Sequence, residues 1–177
     1  MPLRFPRLVL PVSLGALALT ACATRNEVST APKAFLAGAR AHYLVDEDGL
    51  AVQGYDVVAY HPEGGGKARE GREDLAVDVE GVTYWFATPE NRELFRANPA
   101  RYEPTYGGWC AHAMADGGRK VTIDPENYLL TDGRLFLFFK SFYADALKNW
   151  YRDDPAKQTP KADAWWKEIT GEEARTY

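Results

Sequence analysis

The sequence predicts an α+β domain in which a small antiparallel sheet of hairpins packs with several short helices. Two pairs of segments rich in apolar and aromatic residues are each joined by a dipeptide ending in glycine: 75–79 with 82–86 through Glu80-Gly81, and 128–131 with 134–139 through Asp132-Gly133. Asp-Gly between β-formers predicts a hairpin because both residues tolerate a positive φ. The order of hairpins and helices lacks the repeated strand–helix–strand alternation of a parallel sheet.

The elements before the first hairpin are predicted from shorter signals. Residues 34–41 could form a short helix with Phe35 and Leu36 on one side. Valine and tyrosine in the segment 57–60 predict a strand. The run Gly64-Gly65-Gly66 must end that strand, because three glycines break regular structure.

Three further helices are predicted from caps and spacing. Thr88-Pro89 offers an N-cap followed by a proline at the first helical position, and the helix should stop near Asn98-Pro99. Ser141 is the expected cap of a helix whose apolar stripe runs from Phe142 to Trp150. Two prolines then delay the last helix, which we expect over 162–169.

The first residues have the pattern of a bacterial lipoprotein signal. Arg4 and Arg7 supply a positive start, and the apolar run 8–19 follows. That run is too short to cross a bilayer, which needs roughly 20 apolar residues. Leu19-Thr20-Ala21-Cys22 resembles a lipobox, so we expect cleavage before Cys22 and acylation of its thiol. The alternative is an ordinary secretory signal with Cys22 near the cleavage site by coincidence.

Three parts are therefore predicted: a signal peptide over 1–21, a lipidated cysteine with tether and short helix over 22–44, and one domain over 45–170. About 156 residues remain after cleavage, enough for one domain with a real core. Several acyl chains anchor a protein to a membrane without spanning it. We therefore predict a periplasm-facing lipoprotein of the bacterial envelope, and Ala23 after the acylated cysteine favours the outer membrane.

The charge of the predicted mature chain excludes one class of partner. Loss of two arginines with the signal changes the formal net charge from -4 to -6. An acidic domain has no long-range attraction for nucleic acid or for anionic lipid, and no nucleic acid is expected as a partner. If Cys22 is acylated, Cys110 is the remaining thiol and no intramolecular disulfide can form.

An ordered set of motifs resembles one known family. The motifs are Gly54-Tyr55-Asp56-Val57-Val58-Ala59-Tyr60, Tyr84-Trp85-Phe86-Ala87-Thr88-Pro89-Glu90-Asn91, Asn98-Pro99-Ala100-Arg101-Tyr102 and Tyr106-Gly107-Gly108-Trp109-Cys110-Ala111. In this order the chain resembles the YHS-domain-containing proteins of the secreted single-domain type, from about residue 45 to 168.

The resemblance implies a chemical role for Cys110, whereas the segment that holds the metal-associated cysteines in shorter YHS modules has none here. Shorter YHS modules are associated with metal handling through a cysteine pair at the strand-to-helix junction, but the matching segment here, 86–91, has no cysteine. Secreted relatives carry a cysteine at the position of Cys110, and in some relatives it is selenocysteine. This implies that Cys110 takes part in metal binding or in thiol chemistry.

Cys110 and His112 are the first candidate site. On an extended segment, residues two apart point to the same side, so a thiolate and an imidazole could meet one soft ion such as copper. The histidine could instead lower the thiol pKa for redox work. The structural alternative is a buried cysteine that acts as a small hydrophobic residue.

His61 and Asp56 are weaker candidates as metal ligands. His61 takes the place where the relatives usually carry Phe, and a partly exposed histidine at a strand end is the alternative interpretation. Asp56 follows Gly54-Tyr55 as in a turn whose carboxylate bonds nearby backbone N–H groups.

Three functions follow from these candidates, and a non-enzyme is favoured. The first is an envelope lipoprotein that binds a soft transition metal, copper above all, through Cys110 and His112, with His61 and Asp56 as further ligands. The second is a thiol redox protein that uses Cys110. The third is a non-catalytic module that binds a protein or small ligand, with Trp109 and Tyr106 as the expected walls of a groove.

Overall fold

The computed structural model describes Met1 and residues 38–176, and Cys22 with the predicted signal peptide lies outside them. In the described part, the α+β prediction is confirmed, with two antiparallel hairpins and five α-helices. The strands are β1 (Arg72–Val79), β2 (Val82–Phe86), β3 (Asp124–Thr131) and β4 (Arg134–Phe138). The helices are α1 (Pro89–Ala97), α2 (Pro99–Tyr102), α3 (Ala111–Ala115), α4 (Ala146–Arg152) and α5 (Pro155–Thr170).

Both predicted hairpins form with the predicted turns. Glu80 and Gly81 have φ values of 53° and 87°, and Asp132 and Gly133 have 52° and 73°. Positive φ at both central residues matches the right-handed twist of the flanking strands. The hairpins remain two separate two-stranded sheets in the described part rather than one sheet.

The strand predicted over 57–60 is wrong, because these residues form a turn. The Asp56 carboxylate accepts hydrogen bonds from the backbone N–H groups of Val58 and Ala59, and the Asp56 carbonyl also accepts from Ala59. The valines are buried although they lie on no strand. Their composition therefore reflects burial and not extended backbone.

Helix α1 follows its prediction. Thr88 Oγ1 accepts from the Asn91 N–H at 3.1 Å, and Pro89 is the first helical residue. The helix predicted from Ser141 begins later, at Ala146, because the Asp145 carboxylate caps it by accepting from the N–H groups of Leu147 and Lys148. Phe142 therefore lies on a loop before the helix and not on its apolar stripe.

The last helix is longer than its prediction, because the two prolines do not delay it. Pro155 occupies the first helical position, where its missing N–H needs no partner, and Asp154 caps the helix through the Ala156 N–H. Pro160 lies inside the helix, which continues with Ala162 and Trp166 buried against the core. Gly171, with a φ of 77°, ends it as predicted.

The core extends beyond the predicted limits of the domain. A short 3-10 helix, Gly38–His42, stands where the end of the predicted helix over 34–41 falls, and the earlier residues of that prediction lie outside the described part. Ala39 and Tyr43 are buried in the same core as Ala174. Within the described residues, no helix has the length and apolarity needed to cross a bilayer.

Candidate functional site

Cys110 is a free thiol in the interior of the domain. Cys110 is 1% exposed, and its backbone N–H donates to the Val121 carbonyl at 3.0 Å. It forms a parallel bridge with Leu137 of β4, and its carbonyl accepts from the N–H of Met114 in α3. The sulfur makes no hydrogen bond with the residues that the structure describes. These contacts hold Cys110 as a packed element of the core.

The geometry expected for Cys110 and His112 is wrong. Helix α3 begins at Ala111, so the backbone changes from the non-helical N-cap Cys110 to a helix before His112, and the two residues do not lie on the extended segment that would point their side chains to the same side. His112 Nε2 lies instead 2.9 Å from Asp153 Oδ2, at the end of α4. Hydrogen bonds from His112 and Arg152 hold the pKa of the Asp153 carboxyl below its usual value.

Asp56 is fully engaged by four donors. One carboxylate oxygen accepts from the backbone N–H groups of Val58 and Ala59, and the other accepts from the Ala87 N–H at 2.9 Å and the Asn91 side-chain amide at 2.7 Å. The buried carboxylate therefore connects the 57–60 turn to the junction between β2 and α1. A metal ion would have to displace these donors.

His61 is buried, which corrects the expectation of a partly exposed position. Its ring lies edge-on to Tyr102, with 5.0 Å between ring centroids, and Nε2 has no hydrogen-bond partner among the described residues. Burial lowers the pKa of the imidazole, with Glu63 raising it less and Arg101 lowering it further. Burial therefore favours the neutral imidazole, and the ring is kept in place by packing.

His61 is expected to make the fold less stable in acid. Its folded pKa is below the ordinary value of 6.5, so the unfolded chain binds the proton more tightly. The stability is complete above that value and is lost as the pH falls through it toward the lower folded pKa. His61→Phe should flatten the fall in Tm between about pH 7 and pH 5. His42→Gln, at a partly exposed ring, is the control; parallel Tm curves for the wild type and His61→Phe would contradict this.

No three candidate ligands come together. The described part of the chain contains no group of three or more His, Cys, Asp or Glu side chains that could hold a metal ion. Cys110, His112, His61 and Asp56 therefore do not form the three- or four-ligand site that structural zinc requires. A linear two-ligand Cu(I) site is the remaining form of the metal hypothesis.

The thiol of Cys110 is expected to be protected in the folded protein. Alkylation needs contact between reagent and sulfur, and burial permits this only through local or global opening. We expect the rate with iodoacetamide at pH 8 to be at least about a hundredfold lower in buffer than in urea. An equal rate in both solvents would show that the thiol is accessible.

The two aromatic residues expected to form a groove near Cys110 are engaged elsewhere. Trp109 donates its indole N–H to the His42 carbonyl at 2.6 Å, and the Tyr106 hydroxyl donates to Asp163 at 2.7 Å. Tyr106 lines a cavity of about 130 Å³ together with Tyr43. That volume falls below the range of ordinary small-molecule sites.

The presence of glycine at position 107 has a structural explanation. Its φ is 59°, and a Cβ added there would lie 2.5 Å from Tyr43 Cδ1. Its carbonyl also accepts from the Leu44 N–H at 2.9 Å. Close approach of the two segments therefore requires glycine, whether or not Cys110 has a chemical role.

Gly107→Ala is expected to cost about 3–4 kcal/mol of unfolding free energy, because the left-handed backbone and the clash with Tyr43 add together. Gly117→Ala is the matched control. Gly117 has a φ of 81° and nothing within 4 Å of the added Cβ, so it reports the backbone cost alone. Urea denaturation measures both, and equal losses would contradict the clash.

A buried ion cluster was not predicted from the sequence. Glu103 has a side chain that is 0% exposed, and its oxygens lie 2.7 Å from Arg40 Nη1 and 2.6 Å from Arg175 Nη2. Burial and the neighbouring Glu103 raise the pKa of Tyr43 to about 12, so its hydroxyl stays protonated and donates to Glu103. The partners are remote in sequence, and no local motif signals them.

Two aromatic side chains on the loop between β4 and α4 are exposed to solvent. Phe142 and Tyr143 are 94% and 93% exposed, and their rings meet edge to face with centroids 5.0 Å apart. We call this pair the aromatic tip. The loop is closed by a bridge between Lys140 and Asp145 and by a hydrogen bond from the Ser141 N–H to the Ala144 carbonyl at 2.8 Å. The sequence signal for this loop is Asp145, a second N-cap candidate after Ser141.

Comparisons with known proteins leave the family open. No family model, no curated protein and no solved structure matches the chain. The resemblance to YHS-domain-containing proteins therefore stays a prediction from the motifs.

Proposed function

We propose that this protein is a non-catalytic binding module of the bacterial envelope, YHS-like in sequence and anchored through a lipid on Cys22. The observation that carries the proposal is the aromatic tip. Its two rings are more than nine-tenths exposed on a loop that the backbone closes. Exposed aromatic side chains of this kind can become buried in an interface, where aromatic residues contribute much of the binding energy.

The exposure of the aromatic tip needs an explanation outside the folded domain. Burying a phenylalanine side chain stabilises a protein by about 1.5–3 kcal/mol, and Phe142 contributes none of this to folding. Other aromatic residues of the domain, such as Trp150 and Phe95, are buried. Paired rings in water therefore support a role in binding.

The surroundings of the other candidates support a non-catalytic role. Cys110 is buried with a packed backbone, and His112 is paired with Asp153. A reactive thiol needs partial exposure and an adjacent base. Neither condition is met in the described geometry, which favours the binding module over the thiol enzyme.

Anchoring is tested by fractionation of bacterial membranes. The wild-type chain should sediment with membranes and carry the mass of a lipidated N-terminal cysteine. Cys22→Ser should lose that mass and leave the membrane fraction. A wild-type chain without the lipid would contradict the anchor.

The binding role is tested in living cells with a photoreactive side chain. Phe142→p-benzoylphenylalanine should give a cross-linked product on irradiation, and Thr131→p-benzoylphenylalanine should not, because exposed Thr131 lies at the other end of the β3–β4 hairpin. Cys110→Ala in the same chain should leave the product unchanged. Absence of a product at position 142, or its loss with Cys110→Ala, would contradict a module that binds through the aromatic tip.

Copper binding is the second candidate. Its support is that Cys110 and His112 lie two positions apart in the chain and that the His112 side chain is 19% exposed, so that a metal ion can reach the imidazole from solvent. Two ligands suffice for linear Cu(I). Titration of the reduced protein with Cu(I) against a competing chelator tests it, and equal affinities of wild type and Cys110→Ser would end this hypothesis.

A further inference from the structure

We propose that the aromatic tip enters the interface of the phospholipid bilayer that holds the lipid on Cys22, and so fixes the orientation of the domain on the membrane. This inference rests on the proposed function, because it assigns the partner of the same surface. Its occupant is a lipid surface rather than a protein. Four observations support it.

The first observation is the chemistry of the aromatic tip. Phe142 is wholly apolar, whereas Tyr143 has an apolar ring with a polar hydroxyl. Tyrosine concentrates at membrane–water interfaces, where its ring is in apolar surroundings and its hydroxyl is hydrated, and a neighbouring phenylalanine adds apolar area that the bilayer can bury. The closed loop presents both rings without the entropy loss that a flexible segment would incur on insertion.

The second observation is the charge beside the rings. Lys140 and Lys148 border the loop, and the Lys148 side chain is 83% exposed. Asp145 is the nearby acid, 3.5 Å from Lys148, but its carboxylate also caps α4. Lys140 has no ion pair in the part of the chain that the structure describes. The depression beside the aromatic tip is lined by these two lysines and one aspartate, and lysines near an anionic leaflet favour binding.

The acidic net charge does not oppose this contact strongly. Charges act over about 8 Å at physiological ionic strength, so the leaflet would respond mainly to the lysines beside the aromatic tip. The net charge of -6 expected for the cleaved chain is spread over its surface. Local contact and not long-range attraction would hold the tip on the membrane.

The third observation is a depression beside the aromatic tip. It has a volume of about 470 Å³ and is lined by Lys140, Phe142, Tyr143, Asp145, Lys148 and Asn149. Ammonium groups and an amide are donors suited to a phosphate oxygen. With the rings at the level of the first acyl carbons, a phospholipid headgroup could lie in this depression.

The fourth observation is the length of chain between the lipid and the domain. Fifteen residues separate Cys22 from Gly38, where the described domain begins. A fully extended chain of that length reaches about 54 Å at most. A domain of this size has a radius of gyration of about 14 Å, so the lipid can bring any face to the bilayer. Tethering also raises the effective concentration, so weak insertion is enough.

The experiment uses the full lipidated chain, purified in detergent and reconstituted into vesicles of phosphatidylethanolamine and phosphatidylglycerol. Phe142→p-benzoylphenylalanine is compared with Thr131→p-benzoylphenylalanine, and mass spectrometry reads adducts to acyl chains. We expect at least about tenfold more acyl adduct at position 142. Lys140→Glu with Lys148→Glu in the position-142 protein should reduce the adduct severalfold, and vesicles of phosphatidylcholine alone should reduce it as well.

Each other outcome overturns the inference in a distinguishable way. Equal adducts at the two positions would show that the lipid holds the domain near the bilayer without orienting it. A cross-linked protein at position 142 in living cells, with no acyl adduct in vesicles, would retain the binding module and replace its partner. Absence of the lipid on Cys22, read from the mass of the purified chain, would end both this inference and the proposed anchor.

Discussion

Glu103→Ala is expected to destabilise the fold by about 3–5 kcal/mol, since it leaves two buried or half-buried guanidinium groups without their shared carboxylate. Arg40 and Arg175 both contact Glu103, whose side chain is fully buried. The Tyr43 hydroxyl loses its acceptor at the same time. Urea denaturation, with the midpoint and the slope fitted together, measures the loss.

Glu80→Ala provides the matched control for this cluster. Glu80 also pairs with Arg40, at 2.6 Å, but its side chain is 77% exposed. Exposed pairs contribute about 0.2–1 kcal/mol, so this variant should remain near the wild type. Equal losses in Glu80→Ala and Glu103→Ala would contradict the assigned importance of burial.

Asp56→Ala is expected to cost at least about 3 kcal/mol, because a buried turn loses the acceptor of four hydrogen bonds. Two of the donors are backbone N–H groups of the turn itself, and the others are the Ala87 N–H and the Asn91 amide. Removal of the carboxylate leaves these donors without partners in the interior. The free energy of unfolding from urea titration gives the loss.

Asp46→Ala is the control for Asp56→Ala, because it removes a similar turn acceptor at a position that is exposed to solvent. The Asp46 carboxylate also accepts from two backbone N–H groups, those of Asp48 and Leu50, but these bonds are exposed to solvent. Water can replace the lost acceptor, so we expect a loss of about 1 kcal/mol or less. If Asp56→Ala is no worse than this control, Asp56 is not the structural centre of the turn and becomes open again to a ligand role.

Local chemistry made much of the fold predictable. Glu80-Gly81 and Asp132-Gly133 define their hairpins within a few residues, because positive φ at a two-residue turn fixes the register of the strands. Thr88-Pro89 similarly contains the cap and first residue of α1. Such elements need no information from remote parts of the chain.

Two elements were not predictable from local sequence: one depended on which of two possible N-caps begins a helix, and the other depended on a contact with a residue distant in the chain. Ser141 and Asp145 are both residue types that cap helices. Because Asp145 is the actual N-cap of α4, Phe142 lies on the preceding loop and not on the predicted helix. The segment 57–60 has strand composition, but Asp56 folds it into a turn whose partners include Asn91, 35 positions away.

The candidate site was predicted less well, for a similar reason. The expected meeting of Cys110 and His112 depended on extended backbone, and the helix α3 begins between them. Asp153, which pairs with His112, is 41 positions away and belongs to no shared motif. Sequence reasoning identified the residues around Cys110, whereas their partners required the fold.

The shared carboxylate of Glu103 places the two ends of the described domain side by side. Arg40 lies near its beginning and Arg175 near its end, and both guanidinium groups contact this one buried carboxylate. Release of either arginine changes the electrostatic balance for the other, so the ends are coupled in unfolding. A mechanical pull through the N-terminal segment would therefore be resisted partly by the C-terminal residues, because Arg40 and Arg175 contact the same buried carboxylate.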